Sequence, residues 1–221
     1  KMSLKKIKNK NYQDLVIKNG KFVGKFNDLY KNFNDPWFSI KKKGKHGKLK
    51  INLVINLFLN LVDEFKLKEC KIVEIGCGYP QITNELTKKK FDAYGIDISS
   101  VAIQKAKKKY PNLKKKLFCS DINNFKLYDK IRPNIYIMSE VTWYVLPKLK
   151  KFLKFFKKQK NSFLIHSLAI YDKGDQRYGT EYFVDHESIK KYFKLNYIAS
   201  GYIDDLNSDK SSFFAAKSDC K

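Results

Sequence analysis

The run Lys71-Ile-Val-Glu-Ile75, followed at once by Gly76-Cys-Gly78-Tyr-Pro80-Gln81, constrains this chain more than anything else in it. Short apolar runs rich in β-branched residues read as buried strands. Two glycines one residue apart then read as a tight turn whose backbone can pass close to another group. Residues 81–89 read as a helix, so the unit is strand, glycine turn, helix. The pattern continues downstream. Ala93–Asp97 reads as a second strand, and Ser99 as the N-cap of a helix carrying Val101, Ala102, Ala106 and Tyr110. Leu117–Cys119 and Asn134–Met138 are the next strands. A helix from Leu146 sets Leu149, Phe152, Leu153 and Phe156 on one stripe with lysines opposite. Ser162–Leu168, a short helix near Glu187–Phe193, and strands Tyr197–Tyr202 and Ser212–Ala216 complete the series. Alternation of this kind implies an α/β fold with a mainly parallel sheet covered on both faces.

Upstream, residues 48–66 carry Leu49, Leu53, Leu57 and Leu61 at every fourth position, with asparagines on another face. A helix packed on the sheet is favoured over a membrane-surface helix, although lysines flank it. Residues 2–46 are polar and lysine-rich, and read as one or two short helices and a loop that folds over a site. The chain of 221 residues suits one domain with this extension. Lys1 precedes Met2 and is expected to be foreign to the natural chain. The longest apolar stretch, Ile51–Val62, is broken by Asn52, Asn56 and Asn60, so no membrane span is expected, and a cytoplasmic location is.

A formal charge of +24 suggests nucleic acid, but of the 46 basic residues only Arg132 and Arg177 are arginines. Phosphate and base recognition favours the planar arginine fork. The lysines are spread along the whole chain, and together with Asn, Ile and Phe they show the bias of an AT-rich genome. No specific nucleic-acid partner is expected. Cys70, Cys77, Cys119 and Cys220 form no C-x-x-C pair, and His46, His166 and His186 form no ligand pair, so no metal is expected. Buried free thiols are the expectation for the cysteines.

A glycine turn after a strand suits NAD, flavin or S-adenosylmethionine alike. Gln81 stands where the dinucleotide fingerprint wants a small residue, which disfavours NAD. Glu74, two positions before the first glycine, suits a ligand with an ammonium group.

Glu74-x-Gly76-x-Gly78 resembles the first motif of class I S-adenosylmethionine-dependent methyltransferases. Asp97, closing Gly95-Ile-Asp97, matches their ribose-binding acid. Ser120-Asp121-Ile122 matches the place where an acid meets the adenine amino group, and Ser139-Glu140 the place of cofactor- and substrate-facing groups. The resemblance implies a Rossmann-like, seven-stranded, mainly parallel sheet with helices on both faces, as residues 47–221, with 2–46 as a lid. It implies an S-adenosylmethionine cofactor held by Glu74, Gly76, Cys77, Gly78, Asp97, Ile98, Asp121, Ile122 and Ser139, with Trp37 shielding the sulfonium. Pro80 replaces the family's usual third glycine.

A narrower likeness, carried by Phe26-x-x-Leu-Tyr30, Asp35-Pro-Trp37 and Ser139-Glu-Val-Thr-Trp-Tyr144, is to nodulation-type N-methyltransferases and small methyltransferases of bacterial surface-polysaccharide clusters. It implies methylation of an oxygen or nitrogen on a small polar metabolite, such as a surface-glycan (capsule) or phosphoramidate precursor. Tyr30, Trp143, Tyr144, Tyr171 and Arg177 are the expected acceptor contacts. Glu140 is the expected general base, able to take a proton, orient an amine or cap the following helix. His166 is its rival, since histidine needs no tuning to titrate near neutrality. An RNA methyltransferase, an NAD-dependent oxidoreductase and a non-catalytic binding protein are the alternatives. No Asp-Pro-Pro-Tyr or Asn-Pro-Pro-Tyr turn, typical of enzymes that methylate base amines, follows the fourth strand.

Overall fold

A computed structural model describes residues 12–37, 45–172, 174–204 and 210–218. A hairpin of β1 (Ile17–Lys18) and β2 (Lys21–Phe22) leads to α1 (Phe26–Asn32) and the long α2 (Lys45–Glu64). Then follow β3 (Lys71–Ile75), α3 (Gln81–Lys88), β4 (Asp92–Asp97), α4 (Ser100–Lys109), β5 (Leu117–Cys119), α5 (Phe125–Ile131) and β6 (Ile135–Ser139). The chain closes with α6 (Thr142–Phe156), β7 (Phe163–Ile170), α7 (His186–Phe193), β8 (Asn196–Ile203) and β9 (Lys210–Lys217).

Seven strands form one sheet in the order β5-β4-β3-β6-β7-β9-β8, and only β9 runs antiparallel to its neighbours. This is the expected Rossmann-like arrangement. The chain moves outward from β3 to β5, then returns to place β6 against the other side of β3. The ends of β3 and β6 therefore part in opposite directions at the centre of the sheet, and a crevice opens at their carboxyl edge. One face is packed by a cluster including Tyr128, Leu149, Phe152, Phe156, Ile189 and Phe193, from α5, α6 and α7. The other is packed by Val54, Ile55, Phe58, Leu61, Ile82 and Leu86 from α2 and α3. Every residue of β7 is buried, as a strand covered on both faces requires.

The buried stripe of α2 shares only Leu61 with the leucine series. Val54, Ile55, Phe58 and Leu61 face the sheet, whereas Leu49 is 46% exposed and Leu53 and Leu57 are only half-buried. Steps of four residues advance about 40° beyond a full turn, so such a row spirals off the buried face. The asparagines at 52, 56 and 60 are exposed, as expected, and the helix packs on the core rather than lying free for a membrane. No described helix is long and apolar enough to cross a membrane.

Several boundaries and two elements depart from the sequence pattern. α6 begins at Thr142, one turn before Leu146. Helix α5 was not expected, being two turns long and interleaved with lysines. The β1–β2 hairpin was not expected either, although Asn19-Gly20 at its turn takes positive φ at both residues, as a type I′ turn demands. In α1, part of the expected lid, Leu29 and Tyr30 are buried to 0% and 2% exposure, so the helix is docked rather than loosely laid. Residues 2–11 and 38–44 of that lid lie outside the described residues. Among the thiols expected to be buried, Cys77 is, but Cys70 is half-buried and Cys119 exposed. Cys220 is not among the described residues. No cluster that could hold a metal occurs among those described.

Phe58→Ala, which empties a fully buried ring site, should cost about 3–5 kcal/mol in chemical unfolding. Leu49→Ala should cost less than about 0.5 kcal/mol. The reverse order would place the leucine row, not the Phe58 row, against the sheet.

Candidate active site

The glycine turn after β3 is shaped by protein, not left open. Gly76 and Gly78 both take positive φ, +69° and +45°. A Cβ on Gly76 would collide with the Val141 side chain, and one on Gly78 with the Tyr30 hydroxyl. Tyr30 reaches this loop from α1, and Lys105 of α4 holds its carbonyl oxygen. Asn27, one helical turn earlier, accepts from the Ser99 hydroxyl at 2.9 Å. The Tyr79 hydroxyl donates to the carbonyl of Asn34 at 2.8 Å. The extension is thus stitched to the turn and to α4 at four points.

Three carboxylates stand in sequence along the carboxyl edge. Glu74 Oε2 accepts from the Thr83 amide at 2.9 Å and from its hydroxyl at 2.5 Å. Burial pushes Glu74 up to about 7, against the pull of those Thr83 bonds. Asp97 Oδ2 accepts from the Gly78 amide and Oδ1 from the Ser99 amide, both at 2.8 Å. Burial raises Asp97 to about 6 although both bonds favour the ionised form. Ser99 in turn caps α4, accepting from the Ala102 amide at 3.1 Å, as expected. Burial also pushes Asp121 upward, but its Lys148 ion pair and the Asn123 amide outweigh this and leave it below the usual carboxylate value.

Between the ends of β3, β4, β5 and β6 lies a cavity of about 630 Å3. Glu74, Gly76, Cys77, Gly78, Asp97, Ile98, Asp121, Ile122, Ser139 and Trp37, the residues expected at the cofactor, all line it. So do Tyr30, Trp143, Tyr144, Tyr171 and Glu140. Trp37 packs on Tyr144 with ring centroids 5.2 Å apart, and Phe26 meets Tyr144 edge-on at 5.8 Å. These rings join the extension to α6 and roof the cavity. Trp143 is fixed from below by an indole hydrogen bond to the Ala169 carbonyl at 3.0 Å.

Glu140 takes φ +57°, a left-handed conformation that costs a non-glycine residue about 1–2 kcal/mol. That conformation turns its carboxylate toward β7, where Oε2 accepts from the Ala169 amide at 3.0 Å, with Lys50 Nζ 3.8 Å from Oε1. Oε1 makes no hydrogen bond. Lys50 and Val141 line the same cavity and were not singled out from sequence, Val141 although it lies within the 139–144 motif.

Two expected residues stand apart. His166 is fully buried within β7, with Nε2 2.8 Å from the Thr142 hydroxyl and its ring stacked on Phe214 at 4.6 Å. Burial first, and the charge of His186 second, push it down to about 3, so it is a neutral core residue that does not line the cavity. A strand covered on both faces left its side chain no outlet. Arg177 is exposed on the loop after β7 and is likewise not part of the lining.

Residues 72–158 match the family described as methyltransferase domain. That match spans the strands and helices from β3 to α6, the half of the sheet that carries the glycine turn and the three carboxylates. No curated protein matches the chain in sequence. Its fold is similar to that of magnesium protoporphyrin IX methyltransferase from Synechocystis PCC 6803, crystallised with S-adenosylhomocysteine. That likeness has 15% identity over 87% of this chain and 95% of that one, with a TM-score of 0.63. An S-adenosylmethionine-dependent methyltransferase from Clostridium acetobutylicum ATCC 824 matches at 16% identity over 86% and 98% of the two chains, with a TM-score of 0.58. The bifunctional kinase-methyltransferase WbdD matches at 13% identity and a TM-score of 0.59, over 83% of this chain but 42% of that longer one. At such identities the likeness speaks for the fold. The expected Rossmann-like methyltransferase fold is borne out, and residues 72–158 agree with the expected family.

Gly78→Ala should destabilise by about 1–3 kcal/mol, from left-handed strain and the collision with Tyr30. Removing the hydroxyl leaves Tyr30 Cζ at 3.6 Å, an ordinary contact. Tyr30→Phe should therefore recover part of the loss, and a double-mutant cycle in urea should show coupling. Strict additivity would mean that the two groups do not meet.

Proposed function

We propose that this domain transfers a methyl group from S-adenosylmethionine to a nitrogen or oxygen of a small polar metabolite. The observation that carries the reading is that Glu74, Asp97 and Asp121 line one cavity whose far wall is aromatic and holds Glu140. A volume of about 630 Å3 suits a drug-sized cofactor with a small acceptor beside it. The cofactor supplies an electrophilic methyl group on a sulfonium. Glu74 would hold its ammonium, Asp97 would accept from the ribose hydroxyls, and Asp121 would accept from the adenine amino group. Asp97 arrives oriented, because two backbone amides already hold it. Cys77, Ile98 and Ile122 supply apolar contact, Ser139 a hydroxyl, and Trp37 with Tyr30 and Tyr144 excludes water from the reacting end.

The acceptor lies between Tyr144, Trp143, Tyr171 and Glu140. Glu140 takes its proton or orients its amine, and alignment for in-line attack supplies most of the acceleration, on the order of 7–11 kcal/mol. The finer reading, a surface-glycan or phosphoramidate precursor in capsule biosynthesis, rests on the narrower sequence likeness. The segment 2–46 acts as the cover of the site, and its aromatic roof favours that role.

Calorimetry is the direct test of the cofactor reading. S-adenosylhomocysteine should bind and NAD should not, and Asp97→Ala should weaken binding by about 1.5–3 kcal/mol. Unchanged affinity in that variant would remove Asp97 from the site. The reading also predicts a pH dependence. Glu74 and Asp97 titrate near 7 and 6 in the folded chain, above the ordinary 4.5 and 3.8. Ionising them costs folding stability, so stability falls as pH rises through that window. Cofactor affinity should move the other way, tightening as pH rises through about 6 to 7, with protons released on binding. Affinity that does not change with pH would show that neither carboxylate meets the ligand.

For Glu140, the expected outcome is kinetic. Glu140→Gln should lower kcat about a hundredfold or more at saturating cofactor while leaving S-adenosylhomocysteine affinity within about twofold. An unchanged kcat would leave alignment alone as the source of rate.

A further inference from the structure

The Asp121 carboxylate does not face the cavity alone. Its Oδ1 accepts from the Asn123 amide at 2.8 Å, and its Oδ2 is ion-paired with Lys148 Nζ. Lys148 comes from the second turn of α6, and its carbonyl accepts from the Asn123 side-chain amide at 3.2 Å. The same turn is pinned beneath by the buried bond from the Tyr128 hydroxyl to the Ile122 carbonyl at 2.8 Å. Lys148 is therefore tied to the 121–123 turn at both its backbone and its ammonium, and both Lys148 and Asp121 line the cavity. A solvent-exposed lysine pairing with an acid for stability alone contributes little and needs no such double anchorage.

We propose that Lys148 and Asp121 act as one reading head for the edge of adenine, and this rests on the cofactor reading above. Adenine presents there a donor, its 6-amino group, flanked by ring-nitrogen acceptors. Asp121 can only accept and Lys148 can only donate. Side by side, they complement the amino group and one neighbouring ring nitrogen at the same time. A base with a carbonyl at that position would turn an acceptor toward the Asp121 carboxylate, so the pair selects adenine as well as holding it. Because Lys148 keeps its contact with Asp121 while donating to the ring, the base need not displace the ion pair. The lysine thus becomes a specificity-determining contact in a position that the glycine-turn and acid pattern does not mark.

The test is a binding cycle by calorimetry with S-adenosylhomocysteine and its 1-deaza and 7-deaza counterparts, each lacking one of the two ring acceptors. The native chain should bind one of the deaza ligands about tenfold more weakly than the parent, the scale of a hydrogen bond to a charged group. Lys148→Met, which keeps the apolar stem, should bind the parent about tenfold more weakly and no longer distinguish that deaza ligand from it. Lys148→Arg, retaining a donor, should keep the distinction. The inference is overturned if Lys148→Met binds the parent as tightly as the native chain or more tightly, which would mean that Lys148 only blocks Asp121. It is equally overturned if the deaza penalty persists in Lys148→Met. Failure of the native chain to bind the parent at all would overturn the cofactor reading itself, a result distinct from either.

Discussion

The Asp97 carboxylate is the joint on which the carboxyl edge of the sheet depends. Buried at the end of β4, it takes the Gly78 amide on one oxygen and the Ser99 amide on the other. One side chain therefore fixes the glycine turn after β3 and the entry to α4. Ser99, so placed, caps α4 and receives Asn27 of the extension. Gly78, so placed, leaves the gap that the Tyr30 hydroxyl fills. Sheet, helix and extension meet on a single ionisable group, and two backbone amides fix its orientation. Preorganisation of this kind lowers the cost of binding, because the acceptor needs no further ordering.

Such placement is expensive, and the expense is visible in the same residues. Carboxylates prefer water, and taking Glu74 and Asp97 out of it lifts both well above their ordinary range. Glu140 adds backbone strain at the end of β6. A core built only for stability would carry none of these features. That two buried carboxylates and the left-handed Glu140 line one cavity, beside a sheet packed mostly with apolar side chains, is the physical signature of a site.

How far this was legible follows from what each signal depends on. The alternation of strands and helices, the Ser99 cap and the ordered acids rest on local chemistry, which sequence states directly. The seven strands and their sites at the carboxyl edge could be read for that reason. Packing between distant segments cannot be read in this way. Gly76 and Gly78 look like room for a ligand, yet their missing Cβ atoms accommodate Val141 and Tyr30, one of them forty-eight residues upstream. His166 looked like a base because its residue type is versatile, but a strand covered on both faces leaves it among Phe193 and Phe214. Lys50 and Lys148 were hidden among forty-four lysines, where residue type carries no information. Asn19-Gly20 was the opposite case, a legible turn signal that the surrounding polar sequence obscured.

The same abundance of lysine bears on what the net charge of +24 means. At physiological salt the field of an exposed charge fades over about 8 Å, so lysines on the far surfaces contribute little within the cavity. Among the described residues, the charged groups that line it are four carboxylates, Glu74, Asp97, Asp121 and Glu140, and two lysines, Lys50 and Lys148. Both lysines are already committed to acids, Lys50 beside Glu140 and Lys148 on Asp121. The balance inside is therefore opposite in sign to the balance outside. A chain whose composition favours polyanions at its surface still builds an interior suited to a cation.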